Sequence, residues 1–439
     1  MAILGGVRPP APAPLADDYA PHPYWWDGAA VREPRIVPAP SDVDVAIVGG
    51  GLTGLSAAVE LARAGRSVAV LDRTVVGHGA SSRNGGMVHP GGKHDLAAML
   101  AMPGGRALWD DMVRAFEDLQ AWIGELGIDC GWRRSGHVEL AHHPRVARRL
   151  GVVAAAHGSV GERVELLDAG AVRDEVGSDR FAGALVVHRS AAVDPGRLTA
   201  GVVDAAEAAG AVLCDLTEVL AIDRDGAAHQ VRTTRGPVRA GEVVVATDGT
   251  TGAAPVPWLG RRVLGVGSFL IATEPLDPDL VSSVSRHARM LFDTRNFLHY
   301  WRVSPDGTRV LFGGRTSFAP TTVEGARDRL HRAMVGIHPQ LAGVRVARAW
   351  GGEVGLTMDR MPHVGRHAAS GVVYALGYCG TGLALSTHFG RSVGRWLAGA
   401  GELPPFAGCR FPALPAPARA RRLLPVAGWW YLARDALGR

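Results

Sequence analysis

The stretch DVDVAIVGGGLTGLSAAVELARAGRSVAVLDR, residues 42–73, decides the fold. Val43, Val45, Ala46, Ile47 and Val48 make a short apolar run that stops at Gly49, Gly50 and Gly51, which reads as a buried strand entering a turn. From Leu52 the apolar residues recur at helical spacing until Gly65 stops the helix, and SVAVL then gives a second buried strand. Strand, helix and strand in about 30 residues form a βαβ unit, with parallel strands and a right-handed crossover. The turn spells Gly49-x-Gly51-x-x-Gly54, and Asp72 closes the second strand. Gly49 permits the tight turn, Gly51 lets a pyrophosphate approach the backbone, and Gly54 lets helix and strand pack closely. The helix N-terminus at Leu52 and Thr53 favours phosphate charge, and Asp72, followed by Arg73, can accept a ribose hydroxyl. These positions imply a bound dinucleotide.

Working outward, 439 residues are enough for at least two cores. The 47% hydrophobic and 20% charged content is that of an ordinary globular protein. A net charge of +5 is mildly basic, but no basic block interleaved with aromatics and no zinc-finger spacing occurs, so no nucleic-acid partner is expected. Cys130, Cys214, Cys379 and Cys409 lie far apart and read as reduced thiols of a cytoplasmic protein. The N-terminal apolar run is too short for a signal peptide, and no long uncharged apolar stretch predicts a membrane span.

Two styles of sequence interleave. Residues 1–40 form a Pro/Ala-rich extended arm, broken by the aromatic anchor Tyr24, Trp25 and Trp26. Segments 41–94, 193–254 and 356–400 share the strand–turn–helix style and form one discontinuous domain. Segments 95–192 and 255–355 form a second, with a helical pattern over 95–165 and alternating apolar and polar residues over 263–318. The fold class is therefore α/β: a Rossmann-like dinucleotide-binding domain on a parallel sheet, interleaved with an α+β second domain on an antiparallel sheet. Residues 401–439 form a basic, aromatic tail that either covers the body or makes a weak contact with an anionic membrane surface; we favour the cover.

Further glycine turns carry the chemistry. GHGASSRNGGMVHPGGK (77–93) ends on Lys93, the only lysine of the chain. VVVATDG (243–249) and VVYALGYCGTGLALSTHFG (372–390) each put a small-residue turn after a buried strand, where ligands of open parallel sheets collect.

Together these pieces resemble the D-amino-acid-oxidase-like FAD-dependent oxidoreductases. The likeness is carried by residues 44–73, GASSRNGG, DPGRLTAGVVDAA, VVVATDG, TMDRMPHVG and GYCGTGL, in the family's order. GASSRNGG, the N-terminal YWWD and WGGEVGLTMDRMPHVG are most similar to the gamma-glutamylputrescine oxidoreductase branch. The resemblance implies FAD as cofactor, and an amine C–N bond oxidised to an imine, then an aldehyde, by hydride transfer to flavin N5. Gly49, Gly51, Gly54 and Asp72 would hold the ADP half. Ala80, Ser81, Ser82, Arg83, Asn84, Gly85, Gly86 and Met87 would wrap the pyrophosphate and isoalloxazine. Gly377, Gly380, Thr381, Gly382 and Leu383 would face the pyrimidine edge, and Val219 and Thr247 complete the expected cofactor set.

Departures sharpen the reading. Relatives acting on alpha-amino acids carry an arginine before the T-x-D-x-x-P-x-x-G segment; here Val354 stands there, with Glu353 beside it. An acid suits a cationic amine. Some relatives use a lysine of the substrate sheet in oxygen reduction; residues 255–355 contain none, and Lys93 is the candidate substitute. His299, Tyr300 and Trp301 sit mid-strand and alternate between faces, either of which can line the pocket. Cys379 reads as a packed thiol, with covalent flavin attachment as the alternative. His78, His89, His363 and His388 lie near glycine turns without metal-ligand spacing. The expected acceptor is O2, with H2O2 released. Two alternatives stay open: a dehydrogenase passing electrons to a quinone or carrier, and an FAD-binding protein without turnover.

Overall fold

The computed structural model describes residues 12–28, 32–252, 254–314, 321–414, 430–431, 434–435 and 437–438. Strand Asp42–Val48, helix Leu52–Arg63 and strand Val68–Leu71 form the βαβ unit, the strands parallel with Val45 beside Val68 and Val48 beside Leu71. Both faces of these strands are covered, which is why their apolar runs are continuous. Val212–Cys214 extends the parallel sheet beyond Val68–Leu71. On the other side come Gly236–Val245 and then Val373–Leu376, also parallel. Antiparallel strands Val219–Asp225, Ala228–Thr233 and His363–Arg366 complete this sheet.

The second sheet takes nine strands in the order Leu15–Ala20, Val346–Leu356, Leu264–Thr273, Val310–Gly314, His299–Val303, Met290–Asp293, His137–Leu140, Ala184–Val187 and Val164–Leu167. It is antiparallel except where Leu15–Ala20 meets Val346–Leu356 and where Met290–Asp293 meets His137–Leu140. Its two faces have different uses. Val138, Leu291, Trp301, Phe312, Ile271 and Ala349 form one transverse row, strand by strand, in a core closed by Leu330 and Met334 of helix Val323–Ile337. One residue along each strand, Glu139, Phe292, Tyr300, Gly313, Leu270 and Trp350 form the row on the opposite face. That face looks toward the parallel sheet.

Two expectations are corrected. Segment 95–165 is not uniformly helical: helices Leu96–Leu100, Gly105–Glu125 and Pro144–Ser159 are interrupted by strand His137–Leu140 and followed by Val164–Leu167. Helix Gly105–Glu125 packs Trp109, Met112, Phe116, Leu119 and Trp122 into the core of the nucleotide-binding sheet, against helix Gly382–Leu397, rather than onto the second sheet. The extended arm pairs as an edge strand over Leu15–Ala20, and Trp25 of its aromatic anchor is buried, 1% exposed. Of the tail, residues 415–429 lie outside the described residues. Its described end docks on the body, where the Asp435 carboxylate accepts from the Asn296 backbone N–H at 2.8 Å and side-chain amide at 2.6 Å. Among the described residues no helix is long and apolar enough to cross a membrane.

Candidate active site

A cavity of about 1070 Å3 runs from Asp72 and Val219, past the start of helix Leu52–Arg63, to Tyr300 and Phe292 on the second sheet. At its nucleotide end the glycines meet the demands read from their spacing. Gly49 has a φ of +106°, in the left-handed region that a side chain resists. A Cβ on Gly54 would lie 2.1 Å from Gly49 O, so only hydrogen lets helix and strand approach. Asp72 anchors the turn, accepting from Gly50 N–H at 2.7 Å with one carboxylate oxygen and from Thr74 with the other. Its carboxylate also lines the cavity, which leaves acceptor capacity for a ribose hydroxyl. The Ser81 hydroxyl accepts from Leu52 N–H at 2.9 Å, placing the loop against the helix N-terminus where phosphate charge is favoured. This set of donors and close approaches fits the ADP half of FAD.

The loop that follows is held from all sides. Trp25 donates its indole N–H to Asn84 O at 2.7 Å, and Trp350 donates to Arg83 O at 2.7 Å. Asn84 closes the loop on itself: its amide donates to Ser81 O at 2.7 Å and its carbonyl accepts from Gly86 N–H at 2.8 Å. Arg302 lies beneath, donating to Gly86 O at 3.0 Å and Val193 O at 2.7 Å. Burial, helped by the charge of Arg133, pushes its pKa down to about 10. Ser82 turns inward, donating to Gly77 O at 2.7 Å. Arg83 stacks 4.5 Å over the Trp26 ring and donates to His78 O at 2.7 Å.

The third turn is tied to the second sheet by Asp248. Its carboxylate accepts from Gly377 N–H at 2.8 Å, Tyr378 N–H at 3.2 Å and Gly355 N–H at 3.2 Å. Burial still holds its pKa above the usual carboxylate value against these donors. Lys93 and Val354 flank the same turn, with Lys93 Nζ 3.9 Å and Val354 Cγ1 3.6 Å from where a Cβ of Gly380 would stand.

On the substrate side Tyr300 lies across Gly313, where a Cβ would meet its ring at 2.5 Å, and against Gly85 of the loop. Tyr300 lines the cavity; Trp301 does not, being 0% exposed between Phe181 and Phe312 in the opposite core. His299 follows Trp301 to that face, stacks on Phe312 and bonds the Asp293 carboxylate through Nδ1 at 3.1 Å. Neither His299 nor Trp301 reaches the cavity wall. Glu353 lines it beside Val354. Of the residues expected around the cofactor, Gly54, Ser82, Gly86 and Gly377 support the lining from behind. The rest, including Arg73, Met87, Thr247, Thr381, Gly382 and Leu383, border the cavity itself.

The sequence reading missed Arg302, Asp248 and the pair His137 and Glu139. Alternation in His137-Val138-Glu139-Leu140 after Gly136 was the available signal. Cys379 is buried, with its thiol donating to Gly377 O at 3.3 Å, and burial raises its pKa.

The family model described as DAO, FAD dependent oxidoreductase, matches residues 44–396. The chain belongs to this FAD-dependent oxidoreductase family. Its cofactor is FAD. Gamma-glutamylputrescine oxidoreductase of Escherichia coli (strain K12) is a relative of this family member, 32% identical over 402 residues covering 90% of this chain and 93% of that protein. Glycine oxidase of Geobacillus kaustophilus is 30% identical over 357 residues, 78% of this chain and 89% of that one. The solved structure of glycine oxidase from Geobacillus kaustophilus superposes with a TM-score of 0.71 over 84% of this FAD-dependent oxidoreductase and 99% of its own chain, at 27% identity. The mixed α/β fold with a parallel and a largely antiparallel sheet is thus that of an enzyme family whose members oxidise amines or amino acids.

Proposed function

We propose that the chain oxidises the C–N bond of a primary or secondary amine to an imine, with O2 as electron acceptor and H2O2 as by-product. The observation that carries this reading is the charge around the substrate end of the cavity. Val354 flanks the Gly380 turn and Glu353 lines the same cavity, and two of the arginines that border it are committed to carboxylates: Arg149 to Asp95, and Arg295 to Asp293 at 2.5 Å. A substrate carboxylate would have to displace an existing carboxylate to reach those guanidinium groups, whereas an ammonium finds acids and aromatic walls. The names of the relatives, one acting on a putrescine derivative and one on glycine, span both chemistries, so the site must decide.

Bound FAD supplies the two-electron acceptor. The chain's own groups position the amine. Tyr300, Phe292 and Leu270 form an apolar wall that excludes water beside the reacting carbon. His89 lines the same space, and burial together with the neighbouring His137 lowers its pKa to about 4, so its imidazole is neutral near pH 7. With Nδ1 directed to Pro90 O at 3.3 Å as donor, Nε2 is left as an acceptor for an amine N–H. Lys93 beside Gly380 provides a cation where charge develops during oxygen reduction. Four free cysteines, three of them buried, support a reducing, cytoplasmic setting.

Anaerobic mixing of the holoenzyme with a panel of amines and alpha-amino acids tests the reading. Bleaching of the visible flavin band by amines, followed by O2 uptake and peroxide formation on aeration, is expected. Rapid bleaching by glycine or D-alanine and by no amine would refute it. Bleaching by amines with reoxidation by a quinone but not by O2 would favour the dehydrogenase reading.

A further inference from the structure

The wall of the cavity beyond Phe292 holds a carboxylate that the reaction at the flavin does not use. Glu139 stands opposite Phe292 on the neighbouring strand, two strands from Tyr300 along the same row, so its Cα is roughly 10 Å from that of Tyr300 by ordinary strand spacing. Its side chain lines the cavity and is 24% exposed. Its partner is His137 Nε2 at 3.5 Å, and that nitrogen, on a residue 3% exposed, makes no hydrogen bond. The imidazole is fixed from behind, Nδ1 meeting the Ser190 hydroxyl at 2.5 Å, and its ring stacks on Phe292 at 5.1 Å. His157 closes the recess, 6% exposed, with Nδ1 also lacking a hydrogen-bond partner. Trp109, Leu150 and Val153 supply apolar walls. Burial lowers the pKa of both His89 and His157, so neither opposes a second cation there near pH 7.

A partly enclosed carboxylate met only by the distant His137 Nε2, beside the unbonded Nδ1 of His157, is costly to leave without a further polar ligand. We infer that this recess is a subsite for a second cationic nitrogen of the substrate, with Glu139 as its counter-ion and the aliphatic spacer lying along Phe292 toward Tyr300. The preferred substrate is then a diamine or a longer compound with an ammonium group remote from the oxidised carbon. This inference rests on the amine reading above, but its binding test is independent of turnover.

The test compares putrescine with n-butylamine, which share a carbon chain and differ by one ammonium group. Binding to the holoenzyme is followed by perturbation of the flavin spectrum under anaerobic conditions, and the rate of bleaching is recorded alongside. Wild type is expected to bind putrescine more tightly. Glu139→Gln, of the same size, is expected to weaken putrescine binding about tenfold to a hundredfold, the range for a lost charge-assisted hydrogen bond, and to erase the preference. Glu139→Asp should restore part of it. Equal binding of the two amines by wild type, or an unchanged preference in a Glu139→Gln protein that retains FAD and its visible spectrum, would overturn the subsite. Glu139-dependent putrescine binding with no bleaching would keep the subsite and remove the proposed reaction instead.

Discussion

The indole N–H of Trp25 donates to the carbonyl of Asn84 across 2.7 Å, so a residue of the N-terminal arm holds the middle of the loop over residues 80–87. Trp350 of the second sheet makes the same bond to Arg83, one residue earlier. Two successive carbonyls are thus gripped by indoles that lie 325 residues apart in the sequence. Trp25→Phe keeps most of the ring and removes the donor; it is expected to cost about 1 kcal/mol of stability, the usual net worth of one hydrogen bond. Trp25→Ala should cost roughly 3–5 kcal/mol and loosen FAD retention as well. Thermal melting of apo and holo protein, with FAD titration, measures both.

The glycines of the first turn separate packing from cofactor approach. Gly54→Ala forces a Cβ to within 2.1 Å of a backbone oxygen, so loss of about 3 kcal/mol or failure to fold is expected. In Gly51→Ala the nearest clash is the Ser81 hydroxyl at 3.0 Å, a side chain that can shift. That variant should melt close to wild type and bind FAD much more weakly. Equal melting losses in both would contradict the assignment.

Tyr300 and Trp301 are neighbours with opposite duties. Tyr300→Ala opens the cavity wall, and kcat/KM should fall with only a modest change in melting. Trp301→Ala empties a buried site in the second core and should cost roughly 3–5 kcal/mol. A milder Trp301→Phe should leave kcat/KM near wild type in the folded fraction. Parallel kinetics and denaturation curves distinguish the two.

Lys93→Met should slow reoxidation of the reduced flavin by O2 while leaving the anaerobic half-reaction with amine unaffected. Stopped-flow measurement of the two half-reactions decides it. Unchanged reoxidation removes Lys93 from the oxygen chemistry.

Stability should also respond to His388. Burial disfavours its imidazolium, yet hydrogen bonds and charges from Asp111 at 3.2 Å and Asp118 at 3.4 Å outweigh burial and raise its pKa. A folded pKa above the unfolded one, about 6.5, means the contribution is full below that value and is lost as pH rises through the raised pKa. The melting temperature of wild type should therefore decline from mildly acidic to alkaline pH more than that of His388→Gln. Coincident pH profiles would exclude this origin.

Much of the nucleotide half was legible because its constraints are local. Gly49, Gly51, Gly54 and Asp72 act within one strand–turn–helix unit, and their spacing alone states what each must do. The second sheet was harder, since its strands are gathered from distant segments and its register belongs to no single one. Alternation put Tyr300 and Trp301 on different faces, but only the packing of Trp301 between Phe181 and Phe312 says which face is core. Glu139 stayed hidden because the four-residue strand carrying it lies between two longer helical patterns. Arg302 was invisible for another reason: its partners are carbonyls, which leave no trace in side-chain composition.

The transverse row from Trp350 to Glu139 joins the bond that holds the loop over residues 80–87 to the far end of the cavity at a fixed pitch. Each strand crossed adds one step of about 4.8 Å. If Glu139 is the counter-ion proposed above, the length of amine accepted should change one rung at a time on exchanging the residues at 292 or 139, while the bond from Trp350 to Arg83 stays as it is. The length the cavity accommodates and the hold on the 80–87 loop are thus set by different rungs of one ladder.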